Sequence, residues 1–473
     1  MKIARIALVV ALMFMLAGCK VDQAKEVQLY RSVLDKGVEP VSFSAGEPLA
    51  LDEALALANQ HNERLGVQGE FYVQALIEKR RAAAAFFPTI SLAPSHFRQD
   101  PAGEGGGRNP DRRTDVPVRG TLFTGVGDIA NVGAAGRTIE QQRALLLDLQ
   151  AVILLETAQT YYQVLLAEQS VGVLLDSMKV QEQRLRDTRG RQAAGVGRAL
   201  DVAQTEAQYA ATRVGLISAQ NAVRTGREAL ALLTGAPVQE SPLVDALVPP
   251  ADVASVEELT RVALEGRQDL AAARAGVEAA RFDIDAAVAR YYPSISLNVN
   301  AFLERESSPT ESDWNATLGA NLPIFTAGLI HADVRTAWSF LRQAKLNELA
   351  TRRQIASDVA IAHQNVVSSR NQLAELRVQV QAAEEALRQT EQSYRAGLAT
   401  NLEWVTAQNA VLNAQLDLTS QQFDNKVFYL TLLRATGALS TRLPGEAIGP
   451  VTVPALRVPT TQPVVPTTQP LAQ

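Results

Sequence analysis

Apolar and polar residues alternate along two short stretches in the second half of the chain. From 294 to 300 the odd positions are isoleucine, leucine or valine, and the even positions are serine or asparagine. A period of two predicts β-strands with one apolar and one polar face. Residues 314–322 alternate in the same way, so we expect a hairpin of strands 294–303 and 314–322. A less regular pair, 89–97 and 116–123, flanks a Gly-rich charged loop in the first half.

Two long windows contain no proline, one between Pro117 and Pro237 and the other between Pro323 and Pro444. Because proline in a helix interior costs about 3 kcal/mol, both windows are expected to be almost entirely helical. Apolar residues recur there with 4,3 spacing, the seam of a coiled coil. These residues are Leu147, Ala151, Leu154, Ala158, Tyr161 and Leu165, and then Val366, Leu373, Leu376, Val380, Ala383 and Leu387.

A glycine interrupts each window, Gly195 in the first and Gly397 in the second. Each window therefore predicts a helical hairpin, and the glycine provides the positive φ that a turn between helices commonly requires. The first arm, at roughly 60 residues, would be about 90 Å long.

The sequence is built twice. Residues 256–297 align without gaps on 51–92, and the glycines and Thr-Gly pairs of the later windows also correspond. We expect one repeat over 49–237 and a second over 254–440, each with a helix, two strands and a long helical hairpin. Residues 238–253 would be the linker. The fold class is thus mainly α with a small β part, in two tandem pseudo-repeats.

The first residues have the layout of a secretory signal. Basic Lys2 and Arg5 precede an apolar stretch that ends in Leu16-Ala17-Gly18-Cys19. This ending resembles the lipobox of bacterial lipoproteins, and the resemblance implies a signal peptide over 1–18 and lipid attachment at Cys19, the one cysteine of the chain. An ordinary free thiol is the alternative. Residues 19–48 would be a lipid-anchored segment, and the Pro/Thr/Gln-rich residues 441–473 are expected to be disordered.

Charge and composition exclude several function classes. The net charge of −5 is spread along the chain without a basic stripe, which argues against nucleic-acid binding. The four histidines are far apart and match no zinc-ligand spacing, and nucleophile-elbow and Walker motifs are absent from the sequence. We therefore expect no catalytic residues, no metal and no cofactor, and the chain is not expected to be an enzyme.

The strand lengths are close to the nine to eleven residues that cross a bilayer, and Trp314 lies at a strand end, where girdle aromatics sit. A soluble half-buried sheet is the alternative. Four strands cannot close a barrel, so a membrane barrel would require several copies of the chain.

Several short motifs accompany the duplication. They are the Leu-Asp-Glu-Ala-Leu-Ala-Leu-Ala-Asn run at Leu51, Pro-x-Ile-Ser-Leu at the entry to the first strand of each half, Leu/Ile-Phe-Thr at the exit of each second strand, and the turn from Tyr394 to Gln408. In this arrangement the chain resembles the TolC-like outer-membrane efflux protein family over about 49–437. The resemblance implies a homotrimer with a 12-stranded β-barrel continuous with a 12-helix α-barrel. It also implies passive conduction of small molecules from a periplasmic adaptor and an inner-membrane pump to the exterior.

The resemblance further implies a periplasmic gate at the hairpin ends. Glu403 occupies the position of a pore-facing acid, Thr406 replaces a second acid, and Asp201 resembles a residue that latches the closed state. The basic partner of that latch falls on Ala399. The alternative for Glu403 and Asp201 is simple stabilisation of a helix start by a carboxylate.

The tips also define the expected contact with the adaptor. The residues expected to contact the adaptor are Arg191, Arg198, Tyr394 and the turn glycines Gly195 and Gly397. The alternative for the arginines is a solvated charged end, and the alternative for Tyr394 is packing between helices. Two other protein classes remain as rivals, a structural coiled-coil lipoprotein and a periplasmic adaptor, and the duplicated strand pairs argue against both.

Overall fold

The computed structural model describes residues 21–36, 41–98, 111–305 and 312–439. The predicted signal peptide, Cys19 and the Pro/Thr/Gln-rich tail lie outside these ranges. The helices of the first half are α1 (Gln23–Leu34), α2 (Leu51–His61), α3 (Glu63–Ala84), α4 (Gly127–Ala193) and α5 (Ala199–Thr234). Those of the second half are α6 (Val256–Gly266), α7 (Gln268–Ala289), α8 (Leu329–Arg395) and α9 (Asn401–Thr436).

The strands lie between the helices. They are β1 (Leu49–Ala50), β2 (Thr89–Ile90), β3 (Ala93–Phe97), β4 (Asp111–Thr124), β5 (Leu243–Val244), β6 (Ser294–Arg305) and β7 (Trp314–Asn321). The predicted strand 89–97 is split into two, and the predicted strand 116–123 begins five residues earlier, at Asp111.

Both helical hairpins have the same dimensions. The first arms α4 and α8 have 67 residues each, and the second arms α5 and α9 have 36 each. At about 1.5 Å per residue, a first arm is about 100 Å long. Equal lengths in the two halves agree with a duplicated design, and the mainly helical fold class is confirmed.

The single helix expected at the start of each repeat is wrong, because both halves have two helices there. Asn62 separates α2 from α3 with extended φ/ψ angles of −68° and 120°. Its side-chain oxygen accepts a hydrogen bond from the Arg64 amide at 3.0 Å, which caps the new helix. Arg267 breaks the second half at the equivalent place, with angles of −70° and 131°.

Arg267 is almost completely buried and carries two ion pairs. Its guanidinium lies 2.6 Å from the Asp269 carboxylate and 2.8 Å from that of Asp358, on the long arm α8. Two carboxylates compensate the buried charge and fix the start of α7 against α8. The second half therefore uses an ionic contact at the point where the first half uses an amide cap.

A two-stranded parallel ladder closes the first half. β1 pairs with β5, Leu49 opposite Leu243, and the buried Tyr161 of α4 lies beneath them. The Tyr161 hydroxyl lies 2.8 Å from the carbonyl oxygens of Leu49 and Val244 and accepts the Val244 amide at 2.9 Å. This arrangement satisfies a phenol in the core, and burial raises its pKa.

The N-terminal helix α1 packs against α3 and α4. The ring of Tyr30 lies on Gly69, where a Cβ atom would come within 2.4 Å of the ring. Arg31 donates to the carbonyl oxygens of Asn59 (2.7 Å) and Gln60 near the end of α2. None of the helices in the described ranges is both long and apolar enough to span a membrane.

The large sheet has the order β2/β3, β4, β6, β7 and is antiparallel throughout. The register sets Leu297 opposite Leu318 and Asn298 opposite Thr317, so apolar and polar residues form separate faces. β7 lies at one edge, and β2 with β3 at the other.

Candidate functional site at the hairpin tips

Each hairpin turns at a glycine with φ of 76°, Gly195 in the first half and Gly397 in the second. A Cβ atom on either glycine would meet no atom within 4 Å. The left-handed backbone, and not the available space, therefore favours glycine at both turns. The predicted tip turns lie at these two glycines.

An aromatic and arginine cluster joins the two hairpins next to the turns. The guanidinium carbon of Arg184, on α4, lies 3.6 Å from the ring centroid of Tyr394 on α8 and 4.7 Å from that of Trp404 on α9. Arg191 approaches the same Tyr394 ring at 5.0 Å and donates to its hydroxyl at 3.3 Å. Tyr394 thus lies against two arginines of the other hairpin.

Arg184 is buried, and burial lowers its pKa. The planar guanidinium stays charged because its ordinary pKa is far above neutral. Charge in a desolvated site makes a cation–π contact stronger than one at the surface. Arg184 is therefore the central residue of the link, although its position in the sequence did not single it out.

Asn401 provides a second link. This buried residue begins α9, accepts the Arg184 Nε–H at 3.2 Å and donates to the Asp201 carbonyl oxygen at 3.1 Å. It also donates to the Thr205 hydroxyl at 3.2 Å. One amide therefore binds both arms of the first hairpin to the second, a role that the sequence pattern did not reveal.

Asp201 contributes to this link through its main chain. Its carboxylate accepts hydrogen bonds from Arg198, three residues earlier, at 2.8 and 3.2 Å. Ala399, at the expected basic position, has no side-chain donor. The structure therefore places the Asp201 carboxylate in a local ion pair, and the Asp201 carbonyl in the contact between hairpins.

Glu403 forms a capping box at the start of α9. Its carboxylate accepts the Thr400 amide at 2.6 Å and the Thr400 hydroxyl at 3.0 Å, and the Glu403 amide donates back to that hydroxyl at 3.3 Å. These hydrogen bonds lower the pKa of Glu403. Its side chain is exposed, so a fully ionised carboxylate lies at the hairpin end. Thr406 donates to the Leu402 carbonyl oxygen at 2.9 Å and adds no charge.

The seam between the hairpins changes character along its length. Further from the tips, Leu174, Leu216 and Leu412 form an apolar cluster. Near the tips, several buried polar atoms have no hydrogen-bond partner within the described chain. They belong to Gln181, Arg184, Trp404, Gln408 and Asn409. Because such groups regain hydrogen bonds in water, the polar part of the seam costs less to separate than the apolar part.

The predicted adaptor arginines both have contacts within the chain, Arg191 with Tyr394 and Arg198 with Asp201. The most exposed apolar side chains of the tips are Val196 and Leu398, at 79% and 84%. They follow the turn glycines in equivalent positions of the two repeats. In the described part of the chain, no group of acidic, histidine or cysteine side chains could hold a metal ion.

Comparison with known proteins gives one family. The family described as "Outer membrane efflux protein" matches residues 56–236 and, separately, 259–438. The outer membrane efflux protein BepC of Brucella suis biovar 1 (strain 1330) is 25% identical over 370 residues, 74% of this chain and 79% of BepC. The outer membrane protein TolC of Vibrio cholerae serotype O1 is 24% identical over 301 residues, 62% of this chain and 69% of TolC.

Solved structures have the same fold. The outer membrane protein VceC from Vibrio cholerae superposes with a TM-score of 0.73 at 21% identity, over 82% of this chain and 96% of VceC. The outer-membrane channel OprN superposes with a TM-score of 0.73 at 21% identity, over 88% of this chain and 93% of OprN.

Proposed function

The chain belongs to the outer membrane efflux protein family, and on that basis we propose that it is the outer-membrane channel of a tripartite efflux or secretion system. Three copies conduct small molecules passively, while a periplasmic adaptor and an inner-membrane pump deliver cargo and energy. The family is one of channel proteins. No bond is made or broken in this function, and the protein is not an enzyme.

The sheet edges carry this proposal. The large sheet is four strands wide, and neighbouring strands run in opposite directions. When copies of the chain join edge to edge, β7 of one copy therefore meets β2 and β3 of the next in antiparallel orientation. An open edge in lipid would leave backbone groups unpaired, whereas closure satisfies them. Three copies give twelve strands, within the range of membrane barrels. Leu297, Val299 and Leu318 then face lipid, and Asn298, Asn300 and Thr317 face the lumen.

The hairpin tips form the periplasmic gate. Glu403 places three carboxylates around the entrance, and the Arg184–Tyr394 and Asn401 contacts hold the closed arrangement. The gate opens when the polar part of the seam separates, while the apolar cluster at Leu174 keeps the hairpins together further up. Val196 and Leu398 present apolar side chains to the adaptor, with Arg191 and Arg198 beside them.

Lipid attachment at Cys19 anchors the N-terminus in the outer membrane. Cargo varies among the relatives, which include the proteases secretion protein PrtF of Dickeya chrysanthemi and the pyoverdine export outer membrane protein OpmQ of Pseudomonas aeruginosa. Family membership therefore supports a conduit and leaves its cargo open.

The first experiment measures the mass and heat-modifiability of the detergent-extracted mature protein, followed by its conductance in a planar bilayer. We expect a trimer that conducts ions. A monomer that is water-soluble once its lipid is removed, and that forms no pores, would overturn the proposal in favour of a structural lipoprotein.

A further inference from the structure

Arg119 lies in the middle of a row of polar residues that crosses the whole sheet. On β4 it pairs with Thr89 on one side and Asn298 on the other, and Asn298 pairs with Thr317. Its neighbours along β4, Val118 and Gly120, point to the opposite face, where Val118 pairs with Val299 and with Ile90. Arg119 therefore belongs to the polar face, and its side chain is exposed.

The other charged side chains that the structure describes on this face neutralise each other. Among strand positions whose side chains the structure describes, the polar face has three charged residues, Arg113, Asp115 and Arg119. Arg113 forms an ion pair with Asp115 at 3.4 Å and covers the Phe302 ring at 4.8 Å. No carboxylate in the described chain pairs with Arg119.

The neighbouring copy does not supply the missing acid from its adjoining strand. Closure of the sheet brings β7 against β2, the strand that carries Thr89. The polar face of β7 consists of Asn315, Thr317, Gly319 and Asn321, all of which are neutral. The Arg119 guanidinium thus has no carboxylate partner on the described strands of its own copy or on β7 of the neighbouring copy.

The barrel would be narrow enough for the charge of Arg119 to act on ions that pass through it. Twelve strands spaced by about 4.8 Å and tilted by about 40° give a backbone radius of about 12 Å. An arginine side chain brings its charge several ångströms further inward, and the Debye length at physiological salt is about 8 Å. Every ion on the barrel axis would therefore pass within the field of three guanidinium groups.

We propose that Arg119 forms a ring of three positive charges in the barrel lumen and gives this part of the conduit a preference for anions, including small carboxylates and phosphates. The proposal rests on the proposed channel function. It places a basic selectivity element in the barrel, opposite in sign to the acidic Glu403 ring at the periplasmic entrance. Solutes would meet the two rings in series.

Reversal potentials across a planar bilayer with a KCl gradient test the ring. Because Glu403 lies in series, the measurement compares Glu403→Gln with Glu403→Gln/Arg119→Gln. Loss of Arg119 should reduce the chloride-to-potassium permeability ratio at least about twofold, and Arg119→Lys, which keeps the charge, should leave it nearly unchanged. Normal conductance with a permeability ratio equal to that of Glu403→Gln in the double variant Glu403→Gln/Arg119→Gln would overturn the proposal. A wild-type protein that does not conduct would instead count against the channel function.

Thiol chemistry in the Glu403→Gln background gives a second measurement that does not depend on the charge at the entrance. In the conducting trimer, Arg119→Cys should react with a water-soluble charged thiol reagent added from the outer side. A positively charged reagent should restore the anion preference, and a negatively charged one should reduce it further. Protection of this cysteine from the reagents in an open channel would place the side chain outside the lumen and overturn the assignment.

Discussion

Arg184 stacks on Tyr394 with its guanidinium carbon 3.6 Å from the ring centroid, and this contact joins the long arm of the first repeat to the long arm of the second. The duplicated halves therefore do not simply lie side by side at the tips. A desolvated arginine from one half lies between Tyr394 and Trp404 of the other.

Removing this arginine should weaken the closed entrance. A cation–π contact contributes about 0.5–2 kcal/mol, and the trimer contains three copies of it. We expect Arg184→Ala to raise the closed-state conductance severalfold in planar bilayers. Arg186→Ala is the matched control, because Arg186 is exposed and pairs with Glu182 on its own helix. Equal conductance of the two variants would show that the stacking does not hold the gate.

The observed role of Glu403 as a helix cap can be separated from its proposed role as a charge at the entrance. Glu403→Gln should reduce cation preference in the closed channel because the acidic ring is lost. Thr400→Ala removes the capping hydroxyl and leaves the carboxylate, so it should loosen the tip without reversing selectivity. Reversal potentials and proteolysis at the tip report the two roles separately. If Glu403→Gln conducts with wild-type selectivity, its carboxylate acts only as a cap.

The cap also predicts a pH dependence. The hydrogen bonds from Thr400 hold the pKa of Glu403 below its ordinary value of 4.5, so the folded state favours the ionised form. Its contribution to stability is present above the unfolded pKa and is lost as the pH falls below about 4.5 and through the lower folded pKa. Hydrogen exchange at the first turn of α9 should increase in that acidic window. In Glu403→Gln this increase should be absent, and its persistence would assign the effect to another group.

Leu318 and Asn300 test the two faces of the sheet. Arginine at a lipid-facing site near the bilayer midplane costs about 2–4 kcal/mol, whereas a lumen-facing site tolerates it. We therefore expect Leu318→Arg to lower the free energy of unfolding in lipid vesicles by that amount, and Asn300→Arg to change it little. Similar values for both substitutions would remove the distinction between the faces.

A substitution at Gly69 tests how the N-terminal helix α1 packs against α3. A Cβ at Gly69 would lie 2.4 Å from the Tyr30 ring, whereas a Cβ at Gly66 would make only an ordinary 3.8 Å contact with its hydroxyl. Gly69→Ala should therefore displace α1 at a cost of about 1–3 kcal/mol, and Gly66→Ala should not. Protease sensitivity of residues 21–36 reports the displacement. Resistance of Gly69→Ala equal to wild type would show that the helix readjusts without strain.

The periodicities of the sequence predicted the long hairpins and the alternating strands, because those elements repeat one pattern over many residues. They did not predict α1, whose position depends on Tyr30 meeting a glycine almost forty positions away. They also treated the start of each repeat as one helix, since Asn62 interrupts the first half with no proline or glycine beside it, and in the second half the break at Arg267 is marked only by Gly266. Such breaks depend on side-chain hydrogen bonds and ion pairs that periodicity does not record.

At the hairpin tips, too, some residues could be predicted from the sequence and others could not. Gly195 and Gly397 could be located because a turn between helices requires a particular backbone. Arg184 and Asn401 could not, because their roles depend on which helices become neighbours across the two repeats. Asp201 was singled out for its carboxylate, yet its carbonyl oxygen makes the contact between hairpins. A hydrogen bond made by the main chain of a residue cannot be predicted from the type of its side chain.

The matched arms of 67 and 36 residues impose a rule on how this architecture can change in length. A seven-residue deletion in one arm would shift its tip by about 10 Å relative to the other hairpin and bring Arg184 out of reach of Tyr394. All four arms must therefore shorten or lengthen together, by whole heptads, for the tips to meet at one level. The distance that the protein spans between the outer membrane and the pump can thus change only when all four arms change length together. An insertion or deletion in one arm alone would place the two hairpin tips at different levels.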